Sequence, residues 1–127
     1  MFIVDSCAFL SSNTDFIFIT TSTVFVKSSN FTGDPLVAWR GLRFSYTTMN
    51  ISNTSFNSFY EDSVGLVGAG VYSLSSNTYI YKSVFMNNIA TNGASIYYDC
   101  SDTAKCIYVI SNSNFTNNIA LNNGASF

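Results

Sequence analysis

Histidine is absent from this 127-residue chain, and charge is scarce: Lys and Arg number 5, Asp and Glu 7, only 9% of the residues, for a net charge of −2. Without histidine there is no Ser–His–Asp or Cys–His centre and no histidine-ligated zinc. Three cysteines fall short of the four thiolates of an all-cysteine zinc site. So few scattered cations cannot make the basic footprint of a nucleic-acid binder. No apolar run reaches helix-spanning length, so no segment is expected to cross a membrane as a helix. No catalytic, metal-ligating or cofactor-binding group stands out, and no cofactor is expected.

What is present is apolar and neutral-polar. Hydrophobic residues make up 47% of the chain, too many for a disordered polar tail. Ser, Thr and Asn supply 47 of the 127 residues, so solubility rests on hydroxyls and amides. These residues, with Val, Ile and the aromatics, are poor helix formers. Val, Ile, Thr and the aromatics favour extended chain. Short apolar runs such as Phe16-Ile17-Phe18-Ile19, Val24-Phe25-Val26, Tyr79-Ile80-Tyr81 and Ile107-Tyr108-Val109-Ile110 are bounded by Asn, Gly, Ser and Asp. That pattern is strand punctuated by turns.

The chain also repeats itself. Five segments align: V-D-S-C-A-F from Val4, V-K-S-S-N-F from Val26, I-S-N-T-S-F from Ile51, I-Y-K-S-V-F from Ile80 and I-S-N-S-N-F from Ile110. Each opens on a β-branched aliphatic and closes on a phenylalanine: Phe9, Phe31, Phe56, Phe85 and Phe115. The residue two before that phenylalanine is always small: Cys7, Ser29, Thr54, Ser83 or Ser113. Successive phenylalanines are 22, 25, 29 and 30 residues apart, which reads as corner loops of different length on a common unit. An antiparallel sandwich would not need the same residue types at the same place in each period.

These features predict an all-β fold, a right-handed parallel β-helix of about five coils with about three strands each. It forms one segment over residues 1–127, read as part of a longer solenoid. The five phenylalanines are expected to form an internal core ladder and the aliphatic starts another. Cys7, in the small-residue column, is expected to be buried packing. Asn87, Asn88, Asn117 and Asn118 fit turn positions, where asparagine tolerates left-handed φ. Asn92-Gly93 and Asn123-Gly124 are turn dipeptides.

Phe85 to Asn88 and Phe115 to Asn118 read F-x-x-N, followed by Gly93-Ala94-Ser95-Ile96 and Gly124-Ala125-Ser126; Gly68-Ala69-Gly70-Val71 is an earlier relative. This signature resembles the F-x-x-N and G-G-A-[ILV] repeats of polymorphic outer-membrane-protein-type, pectin-lyase-like β-helices. It is close over residues 80–127 and looser before them, and the second motif is altered. The resemblance implies a non-catalytic stalk or adhesin displayed outside a cell. Its partners would be other coils of the same or a longer chain, a carbohydrate or a surface protein.

Other residues bear on compartment. Cys100 and Cys106 lie in a polar stretch and are candidates for a disulfide in an oxidising compartment. Asn30, Asn50, Asn53 and Asn114 head N-x-[S/T] sequons; strand alternation turns Asn30 and Asn114 outward, which suits a glycoprotein. Met1-Phe2-Ile3-Val4-Asp5 carries no signal-peptide pattern. An extracellular or cell-surface location is expected, with any leader lying outside this segment.

Two rival functions are weighed. In a carbohydrate-active enzyme, Asp34, Glu61 and Asp62 would gather in a groove beside Arg40 and Arg43 as a two-carboxylate site. Asp5, Asp15, Asp99 and Asp102 complete the acids, and Asp99 and Asp102 are too few to define a calcium site. In an end-to-end filament unit, the exposed coil ends would associate. Among Tyr72, Tyr79, Tyr81, Tyr97, Tyr98 and Tyr108 some must face outward, either for sugar or partner contact or as ordinary cross-strand pairs.

Overall fold

The computed structural model describes residues 1–10, 17–36, 40–61, 68–100 and 106–124. The ribbon runs through β1 (Phe2–Asp5), β2 (Ala8–Leu10) and β3 (Ile17–Thr20), then β4 (Thr23–Lys27), β5 (Asn30–Thr32) and β6 (Leu42–Ser45). It continues through β7 (Thr48–Ser52), β8 (Ser55–Asn57), β9 (Tyr60–Glu61) and β10 (Val71–Leu74). Next come β11 (Asn77–Tyr81), β12 (Val84–Met86), β13 (Ile89–Asn92) and β14 (Ile96–Asp99), followed by β15 (Tyr108–Ser111), β16 (Asn114–Thr116) and β17 (Ile119–Asn123). No helix occurs among the described residues.

The strands form four walls. Sheet I is β1-β4-β7-β11-β15, sheet II β2-β5-β8-β12-β16, sheet III β9-β13-β17 and sheet IV β3-β6-β10-β14. Each pairing is parallel, so the fold is a β-solenoid and not an antiparallel sandwich. A turn of the ribbon visits up to four walls rather than three. Among the described residues sheet III has three strands, so the four-walled coil is built about three times, fewer than the five the phenylalanine spacing suggested.

Inward rows fill the core. Val4, Val26, Ile51, Ile80 and Ile110 are in register along sheet I. Phe9, Phe31, Phe56, Phe85 and Phe115 are in register along sheet II. Their rings stack nearly parallel, with centroids 4.6, 5.1, 4.8 and 5.0 Å apart. That spacing follows from the distance between hydrogen-bonded strands, about 4.8 Å. The middle three rings are fully buried; Phe9 and Phe115, at the two ends, are partly covered.

The tight corners among the described residues are each made by one left-handed residue. Ser6, Ser28, Asn53, Lys82 and Asn112 turn the chain from sheet I to sheet II; Ser58, Asn87 and Asn117 turn it from II to III. Gly68 and Gly93 lead into sheet IV, Gly124 follows β17 with the same left-handed φ, and Thr21, Tyr46 and Ser75 lead back to sheet I. Left-handed φ is costly for a β-branched or bulky residue such as Thr21 or Tyr46; stacking on the corners of adjacent turns holds it. Gly70 meets a different demand, close approach: a Cβ there would sit 2.5 Å from the Ser95 carbonyl oxygen.

The residue after the corner points inward and carries the local hydrogen bonding. At the I–II corner the Ser29 hydroxyl donates to Lys27 O and accepts the Cys7 N–H. Thr54 and Ser83 repeat this, accepting the N–H of Ser29 and of Thr54 while donating to Ser52 O and Tyr81 O. Ser113 accepts the Ser83 N–H and donates to Ser111 O. Ser76 does the same at the IV–I corner, donating to Leu74 O and accepting the Thr47 N–H.

At the II–III corner asparagine takes this role. Asn87 and Asn117 adopt the left-handed φ, but Asn88 and Asn118 do not. Asn88 is fully buried: it accepts the Phe59 N–H and donates to Phe56 O. All four asparagines therefore stand at the corner as expected, with the two roles divided: the first of each pair takes the left-handed φ and the second bonds neighbouring backbone. Only one left-handed residue fits a corner, and the next side chain must close the ladder. Cys7 departs from expectation: it is an exposed free thiol. It stands in the small-residue column, with its thiol directed at Asp5 O, but the strand it leads into, β2, is an edge strand of its sheet.

Candidate functional site

With its interior closed by these rows, the chain meets its surroundings through the outer faces of the sheets, the corners and the loops. The outer face of sheet IV carries a row in register: Phe18, Arg43, Tyr72 and Tyr97. The Arg43 guanidinium lies between two rings, 4.8 Å from the centroid of Phe18 and 5.5 Å from that of Tyr72. The Arg40 guanidinium also lies 5.3 Å from the Tyr72 centroid, and Tyr72 stacks on Tyr97 at 5.7 Å. Cation–aromatic contacts of this kind are worth about 0.5–1 kcal/mol when exposed. The row is held by these cross-strand contacts, and Phe18, on the edge strand of the sheet, stays 55% exposed.

The outer face of sheet I is more apolar. Ile3, Phe25, Asn50, Tyr79 and Val109 lie in one row, with Phe25 and Tyr79 directly opposite Asn50 on the two flanking strands. Ile3 is 53% exposed, Phe25 37% and Val109 44%. Beside it runs Asp5, Lys27, Ser52, Tyr81 and Ser111. The Lys27 ammonium donates to Asp5 at 3.0 Å. That bond, with a second from the Ser6 hydroxyl, holds the Asp5 carboxyl below its ordinary value.

The remaining two of the six tyrosines are the ones that face inward, opposite the buried Ser73 and Thr78. Tyr98 and Tyr108 meet inside the open end of the stack, rings 4.4 Å apart. Burial raises both phenols, and the neighbouring Tyr98 raises Tyr108 further.

The sequons spread over two walls and a corner. Asn30 and Asn114 are exposed on sheet II and Asn53 is exposed at the I–II corner. A groove of about 500 Å³ runs along that corner past Ser28, Asn30, Asn53 and Lys82. The Asn30 side chain accepts a hydrogen bond from Ser55, and Asn114 accepts one from Thr116 at 3.3 Å. Cys100 and Cys106 are joined in a disulfide, with Cα atoms 6.1 Å apart.

Of the acids of the expected groove, Asp34 and Glu61 are described and they do not share one surface. Glu61 is buried in β9, at the inward position that Ala90 holds on the next strand. Asp34 accepts the Leu36 N–H in its own loop. Arg40 is buried, and Arg43 belongs to the aromatic row on sheet IV. Asp15, Asp62 and Asp102 lie outside the described residues. Among the described residues no three of His, Cys, Asp and Glu gather as metal ligands. Among the described residues no helix is long and apolar enough to cross a membrane.

Comparison with known proteins finds no matching family, no matching curated protein and no matching solved structure. The class defined by the chain's own coordinates is a parallel β-solenoid.

Sequence reasoning missed the Phe18–Arg43–Tyr72–Tyr97 row. Its members come from strands separated by loops of unequal length, so no fixed spacing in the sequence links them.

Proposed function

We propose that the chain is a structural and adhesive segment of an extracellular or cell-surface glycoprotein: a rigid rod that displays flat faces and corner loops and performs no catalysis. The observation that carries this reading is the side-chain ladder of the I–II corner, which runs from Cys7 through Ser29, Thr54 and Ser83 to Ser113. A buried polar network with its groups satisfied rigidifies the element that carries it, and a solenoid gains length by adding equivalent turns. The disulfide supports an oxidising compartment.

The finer resemblance, to right-handed β-helices of the pectin-lyase-like, polymorphic outer-membrane-protein type, draws support from the roles of its motif residues. Phe85 belongs to the core ladder, and Asn88 closes the corner three residues later. Antibody raised to the chain tests the location, with intact cells of the source organism expected to stain before permeabilisation. Staining only after permeabilisation overturns the reading. Release of reducing ends from a polysaccharide by the purified chain overturns it in favour of the carbohydrate-active alternative.

A further inference from the structure

Asn50 differs from the other three sequon asparagines in what stands beside it. Asn30 is flanked in register by Ala8 and Ser55, Asn114 by Val84, and Asn53 occupies a left-handed corner. Asn50 lies mid-strand in β7, the central strand of sheet I, with an aromatic residue opposite it on each side. Ile3 and Val109 extend the row beyond those rings. It is an apolar stripe with one amide at its centre. Contiguous exposed apolar surface of this kind usually marks a covered site.

We propose that Asn50 carries an N-linked glycan whose first N-acetylglucosamine packs against the Phe25 and Tyr79 rings and covers this stripe. The inference rests on the secreted-glycoprotein reading above. The register brings the three side chains together: directly opposed residues on neighbouring strands hold their Cβ atoms about 5 Å apart. A β-linked N-acetylglucosamine ring, its substituents equatorial, presents axial C–H groups on both faces, and these bear partial positive charge. Aromatic faces are negative, so a sugar on Asn50 meets complementary partners on either side. The sequon hydroxyl, Ser52, is two residues along the same strand and so on the same outer face.

The co-substrate is a polyprenyl-diphosphate-linked oligosaccharide. The Asn50 amide nitrogen attacks the anomeric carbon of the first sugar, forming the C–N bond as the bond from that carbon to the diphosphate oxygen breaks. The electron pair leaves with the polyprenyl diphosphate, and one amide proton passes to a base of the transferase. Because Asn50 sits in a central strand, transfer precedes folding, and the sugar then docks as β4, β7 and β11 come together.

The test is expression of the whole chain behind a secretory leader in eukaryotic cells. Occupancy at each sequon is read by endoglycosidase treatment and mass spectrometry, for the wild type and for Asn50→Gln, Ser52→Ala and Phe25→Thr/Tyr79→Thr. Asn50 is expected to be occupied in the wild type and bare in the first two variants. Enzymatic removal of the glycan is expected to lower the melting temperature and raise dye binding to exposed apolar surface in the wild type, and to do neither in the Phe25/Tyr79 variant. Occupancy at other sequons with Asn50 bare overturns this inference and leaves the secreted reading standing. Occupancy of Asn50 with no effect of glycan removal overturns the packing. A secreted chain bare at all four sequons overturns both readings.

Discussion

Asn88 serves three turns of the ribbon at once: its side-chain carbonyl accepts the Phe59 N–H at 3.1 Å, its amide donates to Phe56 O at 3.2 Å, and its own N–H is accepted by Asn118 Oδ1 at 3.2 Å. Asn88→Leu keeps the volume and removes the first two bonds. Each buried main-chain group left without a partner costs about 1–3 kcal/mol. The variant is therefore expected to lose more stability in urea than Asn118→Leu, whose site is only partly buried.

Phe56 has a ring stacked on either side, Phe31 at 5.1 Å and Phe85 at 4.8 Å. Truncation to alanine opens a gap in the middle of a column that neighbouring turns hold apart by their backbone hydrogen bonds. A loss of about 3–5 kcal/mol is expected for Phe56→Ala. Phe115→Ala, at the partly covered end, is expected to lose less. Denaturant midpoints of the two variants check the order.

Alkaline pH should loosen the open end of the stack. Burial holds the Tyr108 phenol above its ordinary value of 10.0. A raised value means that the folded chain keeps the proton after the unfolded chain has released it. The contribution is thus fully present below the unfolded value and is lost as pH climbs past about 10 towards the folded value. Unfolding midpoints measured across that range are expected to fall. The fall should be shallower in Tyr108→Phe, which cannot ionise there.

The disulfide spans a sequence separation of 6, a short loop. Loop-closure entropy assigns such a bridge about 2 kcal/mol. Cys100→Ser/Cys106→Ser is expected to lose up to that amount, and reductant should lower the wild-type melting temperature while leaving the double variant unchanged. An equal response of the two to reductant would contradict the assignment.

The stacked fold was legible because stacking forces chemical likeness: a residue directly above Phe56 meets the same surroundings as Phe56. Val4, Val26, Ile51, Ile80 and Ile110 were readable for the same reason. The fourth wall was harder to see. β9 has two residues, Tyr60 and Glu61, too few for a recognisable alternation, and Phe59 stands where later turns have Asn88 and Asn118. Hydroxyl residues near a bend read as merely compact, since nothing in the sequence says that Thr54 Oγ1 donates within its own turn and accepts from the previous one. Surface rows such as Phe25–Asn50–Tyr79 depend on register across loops whose lengths differ, and only coordinates supply that.

At the I–II and II–III corners, the side chain that accepts the N–H of each residue after the bend comes from later in the chain: Ser29 serves Cys7, Thr54 serves Ser29, Ser83 serves Thr54, and Asn88 serves Phe59. On a ribosome, each loop of the growing polypeptide therefore waits for its successor to emerge before its bend is secured. Assembly acquires a direction, with the newest stretch always the loosest and every added stretch locking the one made before it.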